Sequence, residues 1–180
     1  GAAHQGVAAF AAAHEYAEMD DIFALAESRN ESPFIVVCDS LEDPHNLGAI
    51  LRSAEAAGVH GVIIPKRNSV TLNYTVAKTA AGAIEYVPVV KVANLPAAID
   101  ELKSRGVWIF GADMDGTDYT ALDYSGSIAL VIGSEGKGIG RLVREKCDFI
   151  ASLPMRGKIN SLNASVAAGI LMFEAAKHRN

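Results

Sequence analysis

Cysteine is scarce in this chain: two among 180 residues, with no CxxC spacing and no histidine cluster beside them. That excludes a disulfide scaffold and a zinc ribbon, and no metal is assigned. Cys38 and Cys147 lie in apolar, strand-like runs and read as buried, reduced thiols. The histidines, His4, His14, His45, His60 and His178, form no Ser-His-Asp or Cys-His pattern, so no hydrolase is evident. Basic residues are also short, 16 Lys and Arg against 21 Asp and Glu, for a net charge of -5. This argues against a protein that coats nucleic acid by bulk electrostatics. No apolar run reaches about 18 residues and no charged, apolar, small-residue leader opens the chain, so neither a membrane span nor a secretion signal is expected. The expected location is the cytoplasm. The chain opens without methionine, which reads as a fragment whose natural beginning is missing.

What is present is a full core. Half the residues are hydrophobic, enough for one compact domain. Val7 to Ala13 is Ala-rich and undecided between strand and helix, and Met19 to Glu27 reads as a short helix with its acids at the favourable end. From Pro33 onward short apolar runs set in: Phe34 to Cys38, Gly61 to Ile64, Ile84 to Val90, Val107 to Phe110, Ile128 to Ile132 and Phe149 to Leu153. Helical patterns lie between most of them, at Leu47 to Ala57 ended by Gly58, Leu72 to Ala80, and Leu95 to Ser104 ended by Gly106. This alternation predicts an α/β fold, a mostly parallel sheet with helices on both faces. Ligands of such sheets bind outside the carboxyl ends of the strands.

Several post-strand segments carry chemistry. Asp39 to Arg52 holds a polar loop, Asp43-Pro44-His45-Asn46, and Arg52 further along a helix. At about 100° per residue Asn46 and Arg52 do not share a helix face, so Asn46 would act from the loop or cap. Gly133-Ser134-Glu135-Gly136-Lys137-Gly138-Ile139-Gly140 follows Ile128 to Ile132. Its glycines let backbone N–H groups approach a ligand, and Glu135 sets a carboxylate among them. Neither GxxxxGK[ST] nor GxGxxG is present, which excludes the standard phosphate loops. Gly111-Ala112-Asp113 is a weaker candidate, where small residues admit a flat ligand group. Basic islands occur at Lys66 and Arg67, at Lys137, Arg141, Arg144 and Lys146, and at Arg156 and Lys158.

The last segment joins an apolar run, a polar loop and a helix without a linker. Leu162, Val166, Ile170 and Phe173 recur at helical spacing and predict a buried face, and Lys177, His178 and Arg179 suit the negative end of its dipole. Asn160, Ser161 and Asn163 crowd its first turn, more polar groups than a single cap requires.

Three stretches, NLGAILR from Asn46 to Arg52, VIGSEGKG from Val131 to Gly138 and LPMRGKINSLNA from Leu153 to Ala164, resemble in order and spacing the motifs of the SpoU or TrmH-type RNA ribose 2'-O-methyltransferases of the SPOUT superfamily. The likeness runs from about Pro33 to the end, and is nearest to the bacterial 23S rRNA guanosine 2'-O-methyltransferase branch. It implies a carboxyl-terminal deep trefoil knot, a topology that general rules would exclude. It further implies S-adenosylmethionine as methyl donor, RNA as substrate and a homodimer. It assigns Asn46, Arg52, Glu135, Ser161 and Asn163 to the reaction, and Gly111, Ala112, Val131, Ile132, Gly133, Leu153, Pro154, Met155 and Leu162 to the donor. Residues 1–32 are then an extension left from an absent RNA-binding domain, and 33–180 the catalytic domain. A tRNA guanosine 2'-O-methyltransferase and a non-catalytic knotted RNA-binding module are the alternatives.

Overall fold

The computed structural model describes residues 16–66 and 72–179; the Ala-rich stretch Val7 to Ala13, His4, His14 and Arg67 lie outside them. Six parallel strands form one sheet in the order β3-β2-β1-β5-β4-β6. They are β1 (Phe34–Cys38), β2 (Gly61–Pro65), β3 (Val89–Val92), β4 (Trp108–Asp118), β5 (Ile128–Ile132) and β6 (Phe149–Ser152). Helices α1 (Met19–Ser28), α2 (Pro44–Ala57), α3 (Tyr74–Ala80), α4 (Leu95–Ser104), α5 (Arg141–Lys146) and α6 (Ala164–Ala176) connect and follow them.

The central pair β1 and β5 is buried along its whole length. Alternate β1 residues feed two cores. Phe34, Val36 and Cys38 meet α2, α3 and α6 on one face, while Ile35 and Val37 meet α1, α4 and α5 on the other. A sheet covered on both faces has no polar side, which is why these strands read as unbroken apolar runs. Helix ends follow their local signals. Asp43 caps α2 by accepting from the His45 N–H with Pro44 behind it, and Gly58 closes it at φ 85. Asn94 caps α4 in the same way.

Three expectations are corrected. Ile84 to Val90 is not one strand: a 3₁₀ turn occupies Ala83–Glu85 and β3 starts at Val89. Arg141 to Lys146, taken as a basic island, is a helix, and Cys147 caps its end instead of lying in a strand. Most of its charges are spent internally, Arg144 on Asp113, Lys146 on Asp100 and Arg141 on Glu145. On α6 the buried face is Ala164, Ala168, Leu171, Met172 and Ala175, whereas Val166 is 51% and Phe173 49% exposed. The predicted stripe is thus the outward one. Ahead of β1, helix α1 packs on the same sheet: Ile22 is fully buried over Gly61, where a Cβ would lie 2.3 Å from Ile22 Cγ1.

The carboxyl end is clamped to the start of β1. Arg179 donates to the carbonyls of Ser32 and Gly126 and lies over the Phe34 ring. Tyr124, wholly buried, donates to the Tyr119 carbonyl and packs on Phe110.

Candidate functional site

A cavity of about 440 Å³ opens beyond the carboxyl ends of β4, β5 and β6, the position expected for a ligand of a parallel sheet. Ala112 to Asp115 form one wall, Ile132 to Gly138 a second, and the loop and helix start from Leu153 to Ala167 contribute the third. A smaller cavity of about 340 Å³ adjoins it, sharing Leu153, Met155 and Leu162.

The second wall is a tight turn that only glycine permits. Ser134 and Gly138 pair as an isolated bridge, Gly136 and Gly138 take φ 77 and 66, and a Cβ on Gly133 would sit 2.1 Å from the Gly138 carbonyl oxygen. The turn is pinned from β1: the Asp39 carboxylate accepts the Gly140 N–H at 2.7 Å, and the Asp39 N–H donates to the Ile132 carbonyl at 2.7 Å. Asp39 directly follows β1, the strand next door, and had no motif of its own to mark it.

Opposite the turn, Asn163 is the cap of α6. Its side-chain oxygen accepts from the N–H groups of Ser165 and Val166, while its amide donates to Glu135 Oε1 at 2.6 Å. This bond joins Glu135 on the second wall to the start of α6, two stretches far apart in sequence. Asn160 and Ser161 precede the cap and line the cavity instead of entering the helix.

The donor residues implied by the resemblance divide. Ala112, Ile132, Gly133, Leu153, Met155 and Leu162 line the larger cavity, and Pro154 lines the smaller one. Gly111 and Val131 stand behind the wall: Val131 is fully buried, and a Cβ on Gly111 would meet Cys147 Sγ at 2.7 Å. Among the polar residues, Glu135 and Ser161 line the cavity and Asn163 touches Glu135, whereas Asn46 and Arg52 lie on α2 outside the lining. Asn46 is in the first turn of α2, with Asp43 taking the cap. Arg52 is exposed, and among the described residues no hydrogen bond or ion pair engages its guanidinium, Glu55 included. Burial pushes the thiol of Cys38 up to about 12 and that of Cys147 up to about 11, so both stay protonated at neutral pH and neither is a nucleophile.

The volume and lining suit a nucleoside-sized ligand. Apolar walls at Ala112, Ile132, Leu153 and Leu162 accept a flat base, and backbone edges around Gly133 and Leu153 offer hydrogen bonds. The carboxylates of Asp115 and Glu135 on the same walls suit hydroxyls or a positive charge over a phosphate.

Comparison with known proteins agrees with this geometry. The SpoU rRNA Methylase family matches residues 33–173. The TrmH-family protein YacO of Bacillus subtilis is 57% identical over 178 residues, 98% of this chain and 72% of its own length. The SpoU methyltransferase AviRb from Streptomyces viridochromogenes, solved in complex with AdoMet, superposes with a TM-score of 0.76 at 30% identity, over 82% of this chain and 60% of AviRb. The A. aeolicus TrmH/SpoU tRNA modifying enzyme gives 0.73 at 29% identity, over 87% and 81%. Among the described residues no helix is long and apolar enough to cross a membrane. With its three motif stretches carried on a parallel sheet, two of them meeting at one cavity, this chain belongs to the SpoU rRNA Methylase family.

Proposed function

We propose that this RNA methyltransferase transfers a methyl group from S-adenosylmethionine to a ribose 2'-hydroxyl, that of a guanosine in 23S rRNA. The observation that carries the reading is the Asn163 to Glu135 hydrogen bond, which closes the second and third motif stretches over a nucleoside-sized cavity. A ligand with an adenine, a ribose and a positive charge matches the apolar walls, backbone edges and carboxylates there. The donor, when bound, supplies an electrophilic methyl on a sulfonium.

Everything else falls to the chain. A ribose hydroxyl is a poor acid, so the protein must orient it and stabilise the charge that develops on its oxygen. Arg52 is suited to this: it is exposed, permanently charged and unpaired among the described residues, and its fork grips a phosphate while holding the neighbouring 2'-oxygen. The guanidinium keeps its own proton, and the proton of the 2'-hydroxyl leaves to phosphate or water. Glu135, Ser161 and Asn163 hold the loops, and Asn46 stiffens the start of the helix that carries Arg52. Because α2 lies outside the cavity lining, a homodimer that lays one copy's α2 beside the other's cavity would complete the site. The outward face of α6 favours such a dimer: Val166 and Phe173 place apolar surface there as well as toward the core, and apolar surface of that kind is normally covered. A carboxyl-terminal knot fits the path of the chain, which leaves the edge strand β6 and returns over the cavity to pack α6 on α2. The cytoplasm is the setting consistent with an RNA substrate.

The test is titration with S-adenosylmethionine and S-adenosylhomocysteine, followed by transfer of labelled methyl to 23S rRNA and to tRNA. A 2'-O-methyl group blocks alkaline cleavage, so label recovered in alkali-resistant dinucleotides of 23S rRNA is the expected result. Label on the base overturns the ribose assignment. Label in tRNA alone moves the substrate to tRNA, the class of the A. aeolicus relative, and donor binding without transfer marks a non-catalytic RNA-binding module.

A further inference from the structure

Between Ala112 and Thr117, which both pair with Ala151 of β6, strand β4 leaves the ladder, and Asp113 to Gly116 loop out beside the donor cavity. The loop is tied down at its neck. Ser152 Oγ donates to the Asp113 carbonyl at 2.7 Å and accepts the Gly116 N–H at 2.7 Å. Arg144 Nη1 donates to Asp113 Oδ2 at 2.6 Å and to the Met114 carbonyl at 3.3 Å. Gly138 lies so close that a Cβ there would stand 2.8 Å from Asp113 Oδ1. The loop is therefore fixed to β6 and α5 and rests on the glycine turn opposite.

Within it the two aspartates differ. The Asp113 carboxylate is consumed by Arg144 and by the Met114 N–H at 2.8 Å. Asp115 lines the cavity from the loop's apex, and among the described residues nothing bonds its carboxylate. It sits at φ 58, the left-handed region that glycine would occupy without strain. A side chain kept at that backbone on a cavity wall points to a role for the side chain.

We propose that Asp115 is the specificity-determining carboxylate of the donor cavity, accepting hydrogen bonds from the ligand's ribose hydroxyls or its α-ammonium, and that Arg144 and Ser152 are positioning residues that present it. This rests on the cavity being the S-adenosylmethionine site. Arg144 acts without touching the ligand, by holding the Asp113 carboxylate and the Met114 carbonyl.

Titrations of the wild type, Asp115→Asn, Asp115→Gly and Arg144→Gln with S-adenosylhomocysteine and with 5'-methylthioadenosine, each beside a thermal melt, test it. Both Asp115 variants are expected to bind S-adenosylhomocysteine about tenfold more weakly, the loss of one charge-assisted bond. Asp115→Asn should melt with the wild type and Asp115→Gly above it, because glycine relieves the backbone while losing the carboxylate. Gain of stability with loss of affinity is not what a purely structural residue would give. An equal loss for 5'-methylthioadenosine assigns the contact to the ribose; an unchanged value there assigns it to the ammonium. Arg144→Gln should weaken binding, and adding Asp115→Asn to it should cost little more. Wild-type affinity in both Asp115 variants overturns the proposal while leaving the donor site intact. Absence of binding by the folded wild type overturns the site itself.

Discussion

The Asn163 side-chain amide donates to Glu135 at 2.6 Å while its oxygen accepts the Ser165 N–H at 2.9 Å, so one residue both ties Glu135 of the cavity wall to α6 and starts that helix. The two duties are separable. Asn163→Asp keeps a good cap but sets a carboxylate against Glu135, where Asn163→Ala loses both contacts. The Asp variant should melt within about 0.5 kcal/mol of wild type and the Ala variant about 1 kcal/mol below it. Both should bind S-adenosylhomocysteine weakly. Adding Glu135→Gln to Asn163→Asp reverses the donor and acceptor, and should restore binding. A double variant as weak as the single one would show that the bond does not shape the cavity.

Gly133 and Gly136 separate two reasons for glycine in one turn. At Gly133 a Cβ would meet the Gly138 carbonyl at 2.1 Å, a backbone atom that cannot turn aside. At Gly136 nothing lies within 4 Å, and only the φ of 77 opposes a side chain. Gly133→Ala should therefore force the turn open, costing about 1–3 kcal/mol and abolishing donor binding. Gly136→Ala should cost about 1 kcal/mol and leave affinity within twofold. Thermal melts and titration calorimetry on both proteins check the contrast.

Below the ordinary histidine range the fold should lose stability through His60. The buried His60 Nδ1 accepts the Phe34 N–H at 2.9 Å and its Nε2 donates to Glu31 at 3.1 Å, so the neutral ring is needed. Burial lowers its pKa below the ordinary 6.5, against the opposing pull of Glu31. The unfolded chain then takes up a proton near 6.5 that the folded one refuses. Stability is full above that value and falls toward the folded pKa by up to about 1.4 kcal/mol per pH unit. Urea midpoints from pH 7.5 to 5 should show this slope, and His60→Gln should flatten its upper part. A wild-type curve flat to pH 5.5 would contradict the assignment.

Elements buried on both faces were legible in the sequence because burial leaves no polar residue to confuse their limits: β1 and β5 end where their apolar runs end. The helix α6 shows the opposite case. Apart from Ser165 and Glu174 its residues are apolar or small on every side, and Glu174 is itself buried, so periodicity found a stripe but carried no sign of which side faces the core, and Val166 and Phe173 proved to be outside. Helix α5 was hidden by charge, since its Arg and Lys residues read as free surface until Asp100 and Asp113 were seen beside them. The motifs marked Glu135 and Asn163 but not the bond between them, and the contacts of Asp39 and Ser152, whose partners are distant in sequence, left no mark either. Long-range polar contacts leave no local periodicity to read.

The outward stripe of α6 bears on assembly. Val166 and Phe173 are about half exposed, beside the smaller cavity lined by Tyr119, Pro154, Met155 and Ile170. Water contact over such a face is costly enough to favour a second copy. Sedimentation should give a dimer for the wild type and a monomer for Phe173→Glu, with each monomer still folded by circular dichroism. A monomeric wild type at micromolar concentration would remove the second copy as the occupant.

Arg52 offers the sharpest separation of charge from shape. It is exposed on α2, makes no internal bond among the described residues and lies outside the donor cavity, so replacing it should change stability by no more than about 0.5 kcal/mol. Donor affinity should stay as it is for the same reason. Lysine keeps the charge but offers a single point in place of the planar fork that engages a phosphate and an adjacent oxygen together. If Arg52 acted by charge alone, Arg52→Lys would keep most of its turnover and only Arg52→Ala would fail. If it acts by bidentate alignment, both variants should lose at least about 100-fold in kcat, the scale of removing one preorganised donor from a developing oxyanion. Single-turnover transfer to RNA, at saturating donor and with donor affinity measured on the same samples, distinguishes the two. Near-normal turnover by the lysine variant would reject the alignment role and return Arg52 to simple electrostatic attraction of the RNA backbone.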